Sequence, residues 1–182
     1  MDHSLSEEQT VVRDTFARFV DEQIMPKAEA IDEAHEYPLE IVKQLADLGF
    51  VGMRYPEDSG GSDAGLVTFC LALEEVARGS MSVAGAIAMQ SLMGTKFLHM
   101  LGNEDIIERL FKPALRGEKL GGICMTEPNA GSDLSGISTT ATKVEGGYKI
   151  NGAKTWVTAA PVVDFFTVFA KAGDEGKLTI FL

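Results

Sequence analysis

Little in this sequence points to metals, membranes or nucleic acid. There are only two cysteines, Cys70 and Cys124, and their spacing matches no metal-ligand pattern. The chain therefore reads as a reduced, cytoplasmic protein with buried thiols. His3, His35 and His99 are scattered, with no pair spaced to put two ligands on one helix face, so each reads as structural or exposed. Basic residues are scarce: 16 Lys and Arg stand against 27 Asp and Glu, a net charge of −11. That balance, with no basic stripe, argues against a nucleic-acid binder. The longest apolar run, Met81–Met93, is interrupted by Ser82, Gln90 and Ser91 and is too short and too polar to span a bilayer. The start, Met1-Asp2-His3, lacks the basic-then-apolar pattern of a secretory leader. No internal repeat or low-complexity segment stands out.

What remains is an ordinary globular composition, 45% hydrophobic and 24% charged, sufficient for one domain or two small ones. Ser6 and Gln9 form a capping box ahead of Val12, Phe16, Phe19, Val20 and Ile24, which recur at helical spacing until Pro26 ends or bends the helix. A second helix is expected from Pro38 to Gly49, with Ile41, Val42, Leu45 and Leu48 inward. Residues 55–65, rich in Gly, Asp and Ser, read as a structural loop. Leu66–Arg78 is a further helix. Ser80 or Ser82 caps the next, from Val83 to about Leu101, apolar nearly all round and so expected to be central and buried. Its methionines, Met81, Met89, Met93 and Met100, are core filler or the lining of an adaptable pocket. Asn103 caps another helix that ends near Pro113–Gly117.

The period changes near Leu120. Strands are expected at Thr139–Glu145 and Tyr148–Ile150, joined by Gly146-Gly147, and again at Lys154–Thr158, Phe165–Ala170 and Leu178–Leu182, with a turn at Gly173–Gly176. The fold class is thus α+β in two domains. An all-α helical domain spans residues 1–119, and an incomplete antiparallel β-barrel or sandwich spans residues 120–182. The sequence stops at Thr-Ile-Phe-Leu inside an apolar strand, which suggests a fragment or a chain completed by a second one.

Two stretches carry chemistry. Ile123–Asp133 gathers turn formers and hydroxyls: Pro128 fixes its own φ, Gly131 permits close approach, and Thr126 and Ser132 both donate and accept. Such a segment can aim N–H groups at a phosphate or a heterocycle edge, although on its own it is a common surface loop. Lys154–Ala159 holds the only tryptophan, with Thr158 two residues on. In a strand, Trp156 and Thr158 share a face, which suits a flat heteroaromatic ring; the plainer reading is a core Trp.

Together these stretches resemble the acyl-CoA dehydrogenase family of flavoenzymes, through Thr-Glu-Pro-x-Ala-Gly-Ser-Asp at Thr126–Asp133 and Asn-Gly-x-Lys-x-Trp-hydrophobic-Thr at Asn151–Thr158. The resemblance implies FAD as cofactor and α,β-dehydrogenation of an acyl-CoA thioester to a 2-enoyl-CoA. A carboxylate would remove the α-proton and the flavin would accept the β-hydride. It implies that Ile123, Met125 and Thr126 lie beside the flavin, Trp156 with Val157 packs against the ring, and Thr158 hydrogen-bonds near its N5. Ser132 would sit where the flavin diphosphate and the acyl-CoA come close. No residue of this chain fills the role of catalytic base, no metal is implied, and Glu127 is read as holding its loop. With so acidic a chain, coenzyme A would need a local positive patch, for which Lys143, Lys149 and Lys154 are candidates. By the same resemblance, Gln90–Gly94 borders the acyl chain, electrons pass to an electron-transfer flavoprotein, and the full-length protein is a homo-oligomer. The alternatives are a non-catalytic ligand- or partner-binding half of a split or degenerate enzyme, and an acyl-CoA oxidase.

Overall fold

The computed structural model describes residues 4–173 and 176–182. The chain divides into two compact units, Met1–Lys119 and Leu120–Leu182.

The first unit is helical. Helix α1 (Glu7–Phe19) starts at the expected capping box: the Gln9 N–H donates to Ser6 Oγ at 3.1 Å and the Ser6 N–H to Gln9 Oε1 at 3.0 Å. It continues into a π-helical turn, Val20–Ile24, and a 3₁₀ turn, Met25–Lys27, so Pro26 bends the chain into α2 (Ala28–Ala34). Helix α3 (Leu39–Asp47) stops ahead of left-handed Gly49 and buries Ile41, Val42 and Leu45, whereas Leu48 is exposed, contrary to expectation. Helix α4 (Gly65–Gly79) packs on α1. Between the two runs a ladder of rings, Phe16 on Phe50 at 5.7 Å and Phe50 on Phe69 at 5.0 Å. Each ring buried this way contributes roughly 1.5–3 kcal/mol.

The loop before α4 folds back on itself. A β-carbon on Gly61 would lie 2.0 Å from the Tyr55 carbonyl oxygen, so only glycine fits there. Gly60 is left-handed at φ 90°, so the glycine pair is accounted for without any ligand.

The helix expected from Val83 to about Leu101 is interrupted. Helix α5 (Met81–Met89), capped by Ser80, gives way to a π-helical turn at Gln90–Gly94 before α6 (Lys96–Leu101). Burial is also one-sided: Val83, Ala84, Ile87 and Leu98 are inside, while Met81, Met93 and Met100 are exposed. Those three methionines are not core filler. Asn103 caps α7 (Glu104–Ile106) as expected, and a third π-helical turn, Ile107–Phe111, leads to α8 (Lys112–Leu115).

The second unit is a five-stranded sheet. Strand β1 is Gly121–Cys124, β2 Thr140–Val144, β3 Gly147–Asn151, β4 Phe165–Ala172 and β5 Lys177–Phe181. Helices followed by an open sheet match the expected order, but the pairing is mixed rather than antiparallel. Strands β1 and β2 lie end to end along one edge of β4, both parallel to it, while β5 runs antiparallel on the other edge. Parallel neighbours need a crossover instead of a tight turn, and the irregular segments 125–139 and 152–164 provide them. The β2–β3 hairpin turns at Glu145-Gly146, one residue earlier than expected, because Gly147 already pairs with Val144. The expected turn at Gly173–Gly176 includes residues 174 and 175, which lie outside the described residues, as does His3.

Candidate flavin-binding site

The two motif stretches meet in the second unit. Segment 152–157 is not the expected strand; it is irregular, and a turn begins at Thr158. The alternation that would put Trp156 and Thr158 on one face is therefore absent. Trp156 instead adopts a left-handed backbone, φ 58°, and Ala159 another, φ 64°. A bulky residue there costs about 1–2 kcal/mol, so the surrounding structure must impose it.

Two residues before Trp156, Lys154 is anchored by Glu127. Its carboxylate accepts from the Ser138 N–H (2.7 Å), the Ser138 hydroxyl (2.6 Å), the Thr139 N–H (2.9 Å) and Lys154 Nζ (2.9 Å). Lys154 Nζ also donates to the Met125 carbonyl at 3.1 Å. Only 2% of the Glu127 side chain and 10% of the Lys154 side chain are exposed. Burial would push the Glu127 carboxyl up. The hydrogen bonds from Lys154, Ser138 and Thr139 outweigh it and hold the group well below the usual carboxylate range. A carboxylate so held is a poor proton acceptor and a good clasp. Lys154 is thereby consumed, and Lys143 and Lys149 sit out of register on the β2–β3 ladder, facing opposite sides. The three lysines form no common positive patch.

Two further contacts close the clasp. The Thr155 N–H donates to the Thr126 carbonyl at 2.9 Å, and Glu127 and Ala130 exchange N–H···O bonds across the tight turn at Pro128. Gly152 packs against Thr139, where an added β-carbon would lie 2.3 Å from Oγ1. The motif's Gly, Lys and Glu are thus explained by backbone approach and charge pairing.

Around this clasp the candidate residues are distributed unevenly. Thr126 and Met125 are half-buried and joined to 154–155; Val157 follows, half-buried. Ile123 is the one half-buried residue of β1. Trp156 is 90% exposed, so it is not a core tryptophan. Among the described residues, the N–H and hydroxyl of Thr126 and of Thr158 have no hydrogen-bond partner. An exposed indole next in sequence to Thr155, which bonds the Thr126 carbonyl, and open donors on Thr126 and Thr158 are groups that a flat, acceptor-edged heterocycle can use. Ser132 is exposed on the loop, and no hydrogen bond joins it to 154–158 among the described residues. Asp133 turns back to accept from the Ser135 N–H at 2.9 Å. Of the thiols, Cys124 is buried, but Cys70 is exposed, against expectation. The clasp itself went largely unread in the sequence; the signal was a Glu and a Lys inside two motifs.

Residues 6–118 match the pattern described as acyl-CoA dehydrogenase, N-terminal domain, and residues 122–182 that of the acyl-CoA dehydrogenase middle domain. The chain belongs to the acyl-CoA dehydrogenase family. It is 70% identical over 182 residues to benzylmalonyl-CoA dehydrogenase of Aromatoleum aromaticum, covering 100% of this chain and 48% of that protein. The structure of a glutaryl-coenzyme A dehydrogenase with glutaryl-CoA superposes with a TM-score of 0.93 at 32% identity, covering 100% of this chain and 47% of that one. The FAD complex of PigA does so with a TM-score of 0.90 at 26% identity, over 100% and 49%. The chain spans about half the length of the curated relatives it matches. Among the described residues no helix is long and apolar enough to cross a membrane, and no His, Cys, Asp and Glu cluster could hold a metal ion.

Proposed function

We propose that the protein containing this chain is an FAD-dependent acyl-CoA dehydrogenase whose substrate is an aryl-bearing thioester of the benzylmalonyl type. The observation that carries the reading is Trp156, 90% exposed with a left-handed φ of 58°, next to the Thr155 N–H that bonds the Thr126 carbonyl. The substrate class rests on the 70% identity to benzylmalonyl-CoA dehydrogenase along the whole chain.

When bound, FAD supplies the two-electron acceptor for α,β-dehydrogenation. In this reading the indole of Trp156, flanked by Val157, covers one side of the ring. Thr126 and Thr158 donate to its edges, and Ile123 and Met125 exclude water beside it. Ser132 serves both FAD and the thioester. The base that takes the α-proton lies outside these residues; Glu127, fully engaged in its clasp, is not it. An electron-transfer flavoprotein as electron acceptor, a homo-oligomeric assembly and an acyl-chain border at Gln90–Gly94 complete the proposal by family resemblance, and a cytoplasmic location by the two free cysteines.

The test is anaerobic titration of the full-length, FAD-loaded protein. Benzylmalonyl-CoA is expected to bleach the oxidised flavin absorption at stoichiometric amounts and to yield an unsaturated thioester, with butyryl-CoA reacting at least tenfold more slowly. Equal bleaching by both overturns the substrate class. A protein that loads FAD yet is bleached by neither, nor by any other acyl-CoA, overturns the reaction.

A further inference from the structure

The Glu127–Lys154 pair does more than close a loop. Lys154 Nζ is bonded to the Met125 carbonyl oxygen at 3.1 Å. None of the described peptide bonds is cis, and in a trans peptide the C=O of one residue and the N–H of the next point in opposite directions. Holding the Met125 carbonyl inward therefore turns the Thr126 N–H outward. The following peptide is fixed as well, because the Thr155 N–H takes the Thr126 carbonyl and the Glu127 N–H goes to the Ala130 carbonyl. Thr126 is left with the peptides on both sides pinned and its own N–H open.

A lysine buried to this degree needs a counter-charge, and Glu127 provides it at 2.9 Å while taking three donors from Ser138 and Thr139. The Met125 carbonyl alone could have been held by any neutral donor. A charged one binds it more firmly, since hydrogen bonds to charged groups are roughly twice as strong as neutral ones.

We propose that Lys154, with Glu127 as its counter-ion, is a positioning residue that aims the Thr126 N–H at the acceptor edge of the flavin and so raises its reduction potential. This rests on the FAD reading above. An aimed donor favours the electron-rich reduced ring over the oxidised one, and it contributes most when it needs no reorganisation.

The experiment uses the full-length, FAD-loaded protein and three measurements: FAD retention, thermal midpoint and flavin midpoint potential. In Lys154→Met the donor to Met125 is gone and Glu127 is left unpaired. The expected result is a lower melting temperature together with a tenfold loss of preference for reduced flavin, roughly 30 mV for a two-electron couple. The double variant E127Q/K154M removes the stranded charge. Its melting temperature is expected to recover towards wild type while its potential stays as low as that of K154M. It also supplies the result if K154M does not fold. A K154M potential equal to wild type, or a double-variant potential that recovers along with stability, overturns the positioning role and leaves a purely structural clasp. A wild-type protein that takes up no FAD overturns the cofactor reading, and this inference with it.

Discussion

Trp156 and Glu127 lie within 30 residues of each other in sequence and are opposites in what they do for the fold. Trp156 is 90% exposed, so replacing it with Ala removes almost no buried area, and its left-handed φ of 58° gives the change no backbone penalty. Thermal unfolding of Trp156→Ala should stay within about 0.5 kcal/mol of wild type. FAD affinity of the full-length variant should fall by about tenfold, the equivalent of one stacked ring face, when measured by flavin fluorescence. A large loss of stability would show that the indole is a packing residue after all. Glu127 is the reverse case. Its folded carboxyl is held below the usual range, so the unfolded chain binds the proton more readily, and stability rises with pH through that window. The contribution is complete above the unfolded value of about 4.3 and is lost as pH falls through the folded one. At neutral pH, Glu127→Gln should cost roughly 3–5 kcal/mol, because Lys154 is left buried and unpaired. The gap in melting temperature between wild type and E127Q should hold steady from neutral pH to about 5 and narrow below it. A gap that stays constant into strong acid would mean that Glu127 titrates normally.

At the scale of elements, the π-helical turn at Gln90–Gly94 shows where sequence reasoning stops. The caps at Ser6, Ser80 and Asn103 and the inward faces of α1 and α3 were legible because each depends on neighbours three or four residues away, and the β2–β3 hairpin was legible from its glycine pair to within one residue at the turn. The π turn depends on partners far off in sequence. The Ser91 carbonyl accepts from the Tyr55 hydroxyl at 3.2 Å as well as from the nearby Thr95 hydroxyl at 3.0 Å, while Ser91 Oγ reaches the Val51 carbonyl at 3.0 Å. No periodicity reports such a set. Strand β1 escaped for a related reason: Gly121-Gly122 is a poor strand signal, and its ladder with β4 exists only in three dimensions. The opposite error, a strand at Lys154–Thr158, arose because Thr, Trp and Val carry high strand preference while the Lys154 clasp pulls the backbone elsewhere. The same residue carried both the motif and the misreading. For the π turn, Thr95→Val removes a hydroxyl that also bonds Tyr55 at 2.8 Å and leaves buried oxygens unsatisfied. It should cost about 1–3 kcal/mol by chemical denaturation. If the turn is strained rather than stabilised by these bonds, the variant will instead be neutral or more stable.

For the molecule as a whole, the question is how much of a cofactor site 182 residues can hold. Family membership is carried by both units, yet the chain is 48% of the benzylmalonyl-CoA dehydrogenase it matches. The candidate groups of the second unit offer one indole face and a few donors, all exposed or half-buried. A stacked aromatic pair adds roughly 0.5–1.5 kcal/mol, and a solvent-exposed hydrogen bond about 1 kcal/mol or less. Micromolar binding needs about 8 kcal/mol. One wall falls well short of that, so residues 1–182 alone should bind FAD no tighter than about millimolar. Purified from a flavin-containing mixture by gel filtration, this chain should elute colourless while the full-length protein stays yellow. If the 182-residue chain keeps its colour, the enclosure is already complete within it, and Trp156 must close on the ring from a position other than the outward one seen here.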